Sequence, residues 1–201
     1  MYAEGLTPMP VHVWGDDEKR MDYLFERSDK VCLGGFKRPG RGPAPREYIV
    51  EKMRWAAGRH VHWLGYCRKS ALTALRPHSC DSSTWYNARK YGCVTFYLGR
   101  GRKVTRSVAD RHRPEIPAMS EGGFEQMLED ADVTREQFED ADEWKGGQGA
   151  HHKITSLSWV RYIHELRRFF GVRHFIVCNI PADLSRFMGV VERERERKVA
   201  A

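Results

Sequence analysis

The chain has no Cys-x-x-Cys pair, no membrane-length apolar run and no internal repeat at a fixed period. Each absence removes a class. Five cysteines, Cys32, Cys67, Cys80, Cys93 and Cys178, are odd in number and widely spaced. They suit neither a disulfide framework nor a zinc knuckle. Four of them sit in or beside apolar strand-like runs and read as small core hydrophobes, which suits a reducing cytoplasm. A bilayer span needs about 18 apolar residues in a row, and none is present, so no membrane partner is expected. Residues 1–10 lack the apolar stretch of a signal peptide. An acidic excess is missing too. Against 27 Asp and Glu stand 34 Lys and Arg, for a net charge of +7 and a pI of about 9.3. That balance permits a polyanionic partner such as nucleic acid, although the two signs are mixed along most of the chain. With 201 residues, 41% of them apolar, the chain can build one domain with a real core, or part of a larger one.

What is present alternates strand with helix. Strand-like runs occupy residues 10–15, 30–35, 60–65, 78–80, 93–98 and 173–178. Helical spacing follows several of them, as at Met21, Leu24 and Phe25, and again over residues 69–75. No hairpin signal separates the strands, so the pattern predicts a parallel sheet of βα units. Residues 37–45, rich in Gly, Pro and Arg, read as a mobile basic loop. The rhythm breaks at residues 99–117, a second basic loop. An acidic stretch at 121–143 follows, with helical spacing at Phe124, Met127 and Leu128. Residues 154–170 form a helix with an apolar stripe, and Pro181 opens a last helix whose Glu/Arg tail reads as a solvated end. The expected division is a βα segment over 1–100, a basic loop and acidic helical insertion over 101–150, and a closing helix-strand-helix of the same domain over 151–201. Gly5 and Pro8 read as a helix end and turn, as if the chain began in the middle of a fold.

The chemistry centres on His78-Ser79-Cys80-Asp81-Ser82-Ser83-Thr84-Trp85. Asp81 falls at a strand end, where α/β proteins place their reactive groups. Asp81 as a plain helix N-cap is the simpler reading. Ser82, Ser83 and Thr84 can cap the following helix as well. Cys80, beside the carboxylate, reads as buried rather than nucleophilic.

Leu33-Gly34-Gly35, His62-Trp63-Leu64-Gly65 and Cys80-Asp81-Ser82-Ser83-Thr84-Trp85, in this order, resemble a group of phage-encoded proteins similar to tRNA-guanine transglycosylases. The opening Gly5-Leu6-Thr7-Pro8-Met9-Pro10-Val11 adds to the likeness, which covers roughly residues 1–100. The resemblance implies a (β/α)8 TIM-type barrel; with this chain's strands the expected fold is α/β, a partial or incomplete barrel of parallel strands, and the residues themselves place a helical insertion after the fifth strand. Six strands do not close an eight-stranded barrel, and an open doubly wound sheet is the other architecture to expect. The implied activity is a transferase one: a carboxylate displaces guanine from a nucleic acid as a covalent glycosyl-enzyme, and a deazaguanine base takes its place. Asp81 then falls at the nucleophile position. Gly34, Gly35 and Phe36 fall where the base is gripped by backbone. His62, Leu64 and Gly65 belong to the wall of its pocket, with Ser82 beside it. Arg89 lies near an arginine that contacts the nucleic-acid backbone, one residue out of register.

The implied partners are tRNA or DNA and a guanine or deazaguanine base, in the cytoplasm, the host's if the chain is phage-encoded. No cofactor and no structural zinc are implied. Arg38 and Arg41 in the first basic loop, and Arg100, Arg102, Lys103 and Arg106 in the second, are the candidates for phosphate contacts. The general-base carboxylate of such a reaction comes from an early strand. Nothing before Pro10 supplies it, so the reading calls for further N-terminal strands or a second chain that completes the barrel. Two other readings stand beside it. One is a nucleic-acid-binding remnant or subunit without catalysis. The other is a metal-dependent hydrolase of the barrel class, from His60 and His62 on one strand face, with His12 and Asp81 as further ligands.

Overall fold

The computed structural model describes residues 8–38, 42–43, 46–86, 91–107, 115–140, 149–176 and 181–200. The chain divides into two compact units. The first takes Met1–Ser82 with Phe169–Phe175, and the second Ser83–Arg168 with Ile176–Ala201.

The first unit is built on a parallel sheet. In chain order it contains β1 (Val11–Val13), α1 (Arg20–Arg27), β2 (Lys30–Gly34), β3 (Lys37–Arg38), β4 (Gly42–Pro43), α2 (Arg46–Ala56), β5 (His60–Trp63), α3 (Lys69–Leu75) and β6 (Ser79–Ser82). The strand β9 (Arg173–Ile176) completes a five-stranded sheet of order β1-β2-β5-β6-β9. The register places Cys32 between Val11 and His62, and His62 beside Ser79. It places Leu33 between His12 and Trp63, and Trp63 beside Cys80. Because side chains alternate along a strand, these two rows face opposite sides.

The second row faces the helices. Leu33 and Trp63 are wholly buried, with Met21 of α1, Ile49 of α2 and Leu72 of α3 in the same core. Trp63 Nε1 lies 3.3 Å from Met53 Sδ, and His12 Nδ1 lies 2.9 Å from the Tyr48 hydroxyl, which fixes α2 on this face. Fully burying a large apolar side chain contributes about 1.5–3 kcal/mol, so Trp63 alone is a large anchor for a four-residue strand. Cys80 is buried on this face as well, turned away from its neighbour Asp81.

Two expectations change. Residues 37–45 are not simply a loop. Their ends pair as an antiparallel ladder, Lys37 with Pro43 and Arg38 with Gly42. The fifth expected strand is also not part of the parallel sheet. It forms β7 (Cys93–Tyr97), which pairs antiparallel with β8 (Lys103–Ser107) in the second unit. The supposed basic loop is therefore half strand. Its turn is Gly99-Arg100-Gly101, all three with positive φ, and Arg102 exchanges backbone bonds with Leu98 and Gly99. An Asn-Gly signal is absent here because glycines on both sides of an arginine take its place.

The rest of the second unit is helical: α4 (Gly123–Asp130), α5 (Arg135–Glu139), α6 (Ala150–Phe170) and α7 (Pro181–Ala200). Phe124, Met127 and Leu128 of α4 are buried. Phe138 of α5 packs edge-on to Phe124 at 4.9 Å, and Thr134 with Gln137 forms a capping box. The outer edge of β7 is covered by hydroxyls of α6: Thr95 N–H donates to Thr155 Oγ1 and Tyr97 N–H to Ser158 Oγ, each at 3.0 Å. That blunts an edge that would otherwise be open to pairing. The last helix is less solvated than its Glu/Arg composition suggests. Glu194 is buried and pairs with Arg161 at 2.8 Å, while Arg161 and Arg197 both reach Asp130. No helix among the described residues is long and apolar enough to cross a membrane.

Candidate active site

The face of the sheet away from α2 carries Cys32, His62, Ser79 and, one step further along β6, Asp81. Asp81 is the third residue of β6 and is half-buried. Two donors converge on its Oδ1: His62 Nε2 at 3.0 Å and the Gly65 N–H at 2.9 Å. An ionised carboxylate only accepts, so Nε2 carries the proton. The other ring nitrogen of His62 lies 2.8 Å from Ser79 Oγ, whose rotatable hydroxyl fixes the ring in place. Among the described residues, Oδ2 has no protein partner.

The local sequence explains this aim. β5 ends at Trp63, and Leu64 N–H still bonds to Leu33 O at 2.9 Å. Gly65 then enters the left-handed region with φ of 68°, which turns its N–H back onto Asp81. The His-x-x-Gly spacing thus delivers a side-chain donor and a backbone donor to one oxygen. Asp81 is followed by a 3-10 turn, Thr84–Tyr86, and Tyr91 is helical, while residues 87–90 of the expected helix lie outside the described residues. The carboxylate is thus aimed by His62 and Gly65, and Asp81 is a strand residue rather than an N-cap. Ser82 is buried at the end of β6.

Flat and apolar groups surround the pair. Leu64 and Phe175 are exposed, and the Phe175 ring lies 6.0 Å from that of His62. Phe36 is buried and stacks on Tyr66 at 4.7 Å. Gly34 brings backbone close to both neighbours: a Cβ there would lie 3.3 Å from Val11 Cγ1 and 3.7 Å from Leu64 Cδ2. Gly35 is tighter. Its φ is 72°, and a Cβ would overlap Val13 Cγ1 and sit 3.1 Å from the Trp14 nitrogen. Replacing Gly35 with alanine is expected to cost about 2 kcal/mol through left-handed strain and overlap. Urea unfolding reads that loss, and an unchanged midpoint would contradict the close approach.

Cys32 shares the floor with His62. Burial, with the charge of Asp81 adding to it, pushes its thiol up to about 11. It is therefore a neutral group at physiological pH, in contact with Met9 Sδ at 3.2 Å. His60, two residues before His62, takes no part in the site and stacks instead on His78 at 4.0 Å. Among the described residues no group of three or more His, Cys, Asp or Glu side chains is arranged to hold a metal ion.

The first unit thus gathers Asp81, His62, Gly65, Leu64 and Gly34 at one end of its strands, with Gly35 and Phe36 following β2. Arg41 and Arg89 lie outside the described residues, as does the side chain of Arg38. Arg100, Arg102, Lys103 and Arg106 belong to the hairpin of the second unit. Of these, Lys103 lies over the ring of Trp159 at 3.1 Å, and Arg106 is 3.8 Å from Glu115. Arg100 and Arg102 are exposed. Sequence reasoning passed over three groups. Ser79 stands two residues before Asp81 on the same face, a signal that strand alternation carries. Tyr66 directly follows Gly65. Phe175 becomes visible only when the strand order is known.

No family model matches the chain, and neither a curated protein nor a solved structure matches it.

Proposed function

We propose that the chain catalyses base exchange in a nucleic acid, guanine out and a deazaguanine in, with Asp81 as the nucleophile. The observation that carries this reading is the asymmetry of Asp81: Oδ1 takes both donors and Oδ2 is left without a partner among the described residues. A carboxylate held this way is aimed, with one oxygen kept clear for attack. Oδ2 attacks C1′ of the target nucleoside, and the C1′–N9 bond breaks with its electrons leaving on guanine. The incoming base then attacks C1′ through N9, loses its N9 proton, and displaces the carboxylate. Two displacements at one carbon return the original configuration.

The surroundings support a flat base as the ligand. The exposed Leu64 and Phe175 offer apolar walls, and Gly34 and Gly35 let β2 close against Val11, Val13 and Trp14 beneath them. His62 acts as a positioning residue that fixes Oδ1. The sheet itself supports the barrel reading. Its strand order follows the chain order among β1, β2, β5, β6 and β9 without a switch point, and α2 packs on the side opposite Asp81. Barrels keep their helices outside in this manner, whereas doubly wound sheets reverse order. We therefore read the sheet as an arc of an incomplete (β/α)8 barrel. The general-base carboxylate that accepts the N9 proton is assigned to strands or a partner chain that extend the arc.

The test is to incubate the protein with tRNA and with single-stranded DNA, quench, digest, and search for a glycosyl adduct by mass. An adduct on the peptide bearing Asp81 is the expected result. An adduct elsewhere, or none on any nucleic acid when that extension is supplied, refutes the reading. The non-catalytic binding role gains if nucleic acid binds equally to the parent and to Asp81→Ala with no adduct.

A further inference from the structure

The opposite end of the same sheet carries a second feature, which does not rest on the base-exchange reading. All N-terminal strand ends of a parallel sheet lie at one pole, and here that pole is basic. Lys30 opens β2 and pairs in register with His60, which opens β5. His78 precedes β6, and its ring stacks on His60 at 4.0 Å. Arg173 opens β9, and its N–H donates to His78 O at 3.2 Å. Four adjacent strands thus each carry a basic residue at, or immediately before, their first position. Neighbouring strands lie about 4.8 Å apart, so the row spans about 14 Å.

A cavity of about 370 Å³ lies beside it, lined by His60, His78, Arg59, Arg76, Pro77 and Gly58 among others, and by no carboxylate. Arg76 is the notable wall. It closes α3 with its N–H on Leu72 O, at a left-handed φ of 46°. Glycine is the usual residue there, yet this chain keeps a long cation, and a strained non-glycine residue points towards function. Arg76 stands 6.0 Å from the centre of the Phe170 ring, and Arg59 differs in being hydrogen-bonded. Its guanidinium is held by Ala56 O and Trp55 O and lies over Phe25, so it is wall rather than ligand. Among the described residues, the side chains of Lys30, His60, Arg76, His78 and Arg173 have no carboxylate partner. Burial first, and then the basic neighbours His60, Arg173, Lys30 and His62, hold the His78 imidazole below its ordinary range. The fixed cations Lys30, Arg76 and Arg173, with two imidazoles between them that can donate, make a row suited to a multivalent anion.

We propose that this pole binds contiguous phosphate groups, with Arg76, His60 and His78 at the cavity and Lys30 and Arg173 flanking it. Two sources supply that chemistry, a free oligophosphate and the backbone of a nucleic acid.

Calorimetric titration of the full chain at low salt tests it, with sodium tripolyphosphate in one arm and a single-stranded oligodeoxynucleotide in the other. One-to-one binding of at least one ligand is expected, weakened about tenfold or more by Arg76→Gly or His60→Gln, as for loss of a charge-assisted contact. Glycine suits the backbone at residue 76, so that variant keeps its fold. Arg54→Gln removes the same charge from an exposed site on α2 and should bind like the parent. An oligonucleotide that binds and competes with tripolyphosphate makes the backbone the source. Tripolyphosphate bound without such competition makes it a free oligophosphate. The proposal is overturned if neither ligand saturates, if both pole variants bind like the parent, or if Arg54→Gln weakens binding equally.

Discussion

Changing Asp81 to asparagine is expected to reduce base exchange at least about a thousandfold, which corresponds to about 4 kcal/mol of transition-state stabilisation. The reason is specific to the geometry. Asparagine keeps an oxygen that can accept from Gly65 N–H and His62 Nε2, the two donors seen on Oδ1. It loses the anionic Oδ2 that would form the ester to C1′. The fold should therefore survive. The bond from His62 loses its charge assistance, a change of about 1 kcal/mol, and for a chain of this size that lowers the melting midpoint by about 2–4 °C. Activity and melting are measured on the same preparation, under the conditions that give adduct with the parent. A variant that retains exchange within tenfold of the parent would remove Asp81 from the chemistry. A variant that collapses would show Oδ2 to be structural.

The second large effect lies in the other unit. Arg161→Met is expected to cost about 3 kcal/mol, the lower part of the range for breaking a buried ion pair from one side. Arg161 bridges Asp130 of α4 and Glu194 of α7, whose side chains are only 10% and 7% exposed. Methionine leaves Glu194 buried without Arg161 and leaves Asp130 with Arg197 as its remaining cation. Urea unfolding at neutral pH measures the loss, and an unchanged midpoint would show the network to be dispensable. Acid adds a second readout. Burial works to raise the Asp130 carboxyl, but hydrogen bonds from Arg161 and Gln126 and the charges of Arg161 and Arg197 outweigh it and hold the group below its ordinary range. A depressed carboxylate contributes stability that is complete above its unfolded value of about 3.9 and is lost as pH falls through the folded value. The parent should therefore weaken below about pH 4 more steeply than Arg161→Met.

Much of the sheet was legible because its signals are local. The runs at residues 10–15, 30–35, 60–65 and 78–80 and the helix over 69–75 are short apolar segments with clear punctuation. The Asp81 face was legible in part, since alternation along β6 places Asp81 and Ser79 together and Cys80 opposite. The hairpin of β7 and β8 was not. Its turn, Gly99-Arg100-Gly101, departs from the usual two-residue signals, and the basic side chains around it read as solvated loop. Lys103 shows why that reading is incomplete, because its charge rests on the rings of Trp159 and Tyr162. Those rings stand on a helix more than fifty residues away in sequence, and no local pattern reports them. The partnership of His62 with Asp81 was hidden for the same reason, since it depends on two strands being neighbours.

The strand order also sets a sequence of events during folding. The connection from β6 to β9 runs through residues 83–172, whereas those joining β1, β2, β5 and β6 are far shorter. Closing a loop costs about 0.6 kcal/mol more for each doubling of its length, and pairings distant in sequence form slowly. On the ribosome, β1, β2, β5 and β6 emerge and can pair well before β9 is made. Until then β6 is an open edge, and the strand that carries Asp81 gains its second neighbour last. The candidate nucleophile therefore matures late, only after the whole intervening unit has been synthesised.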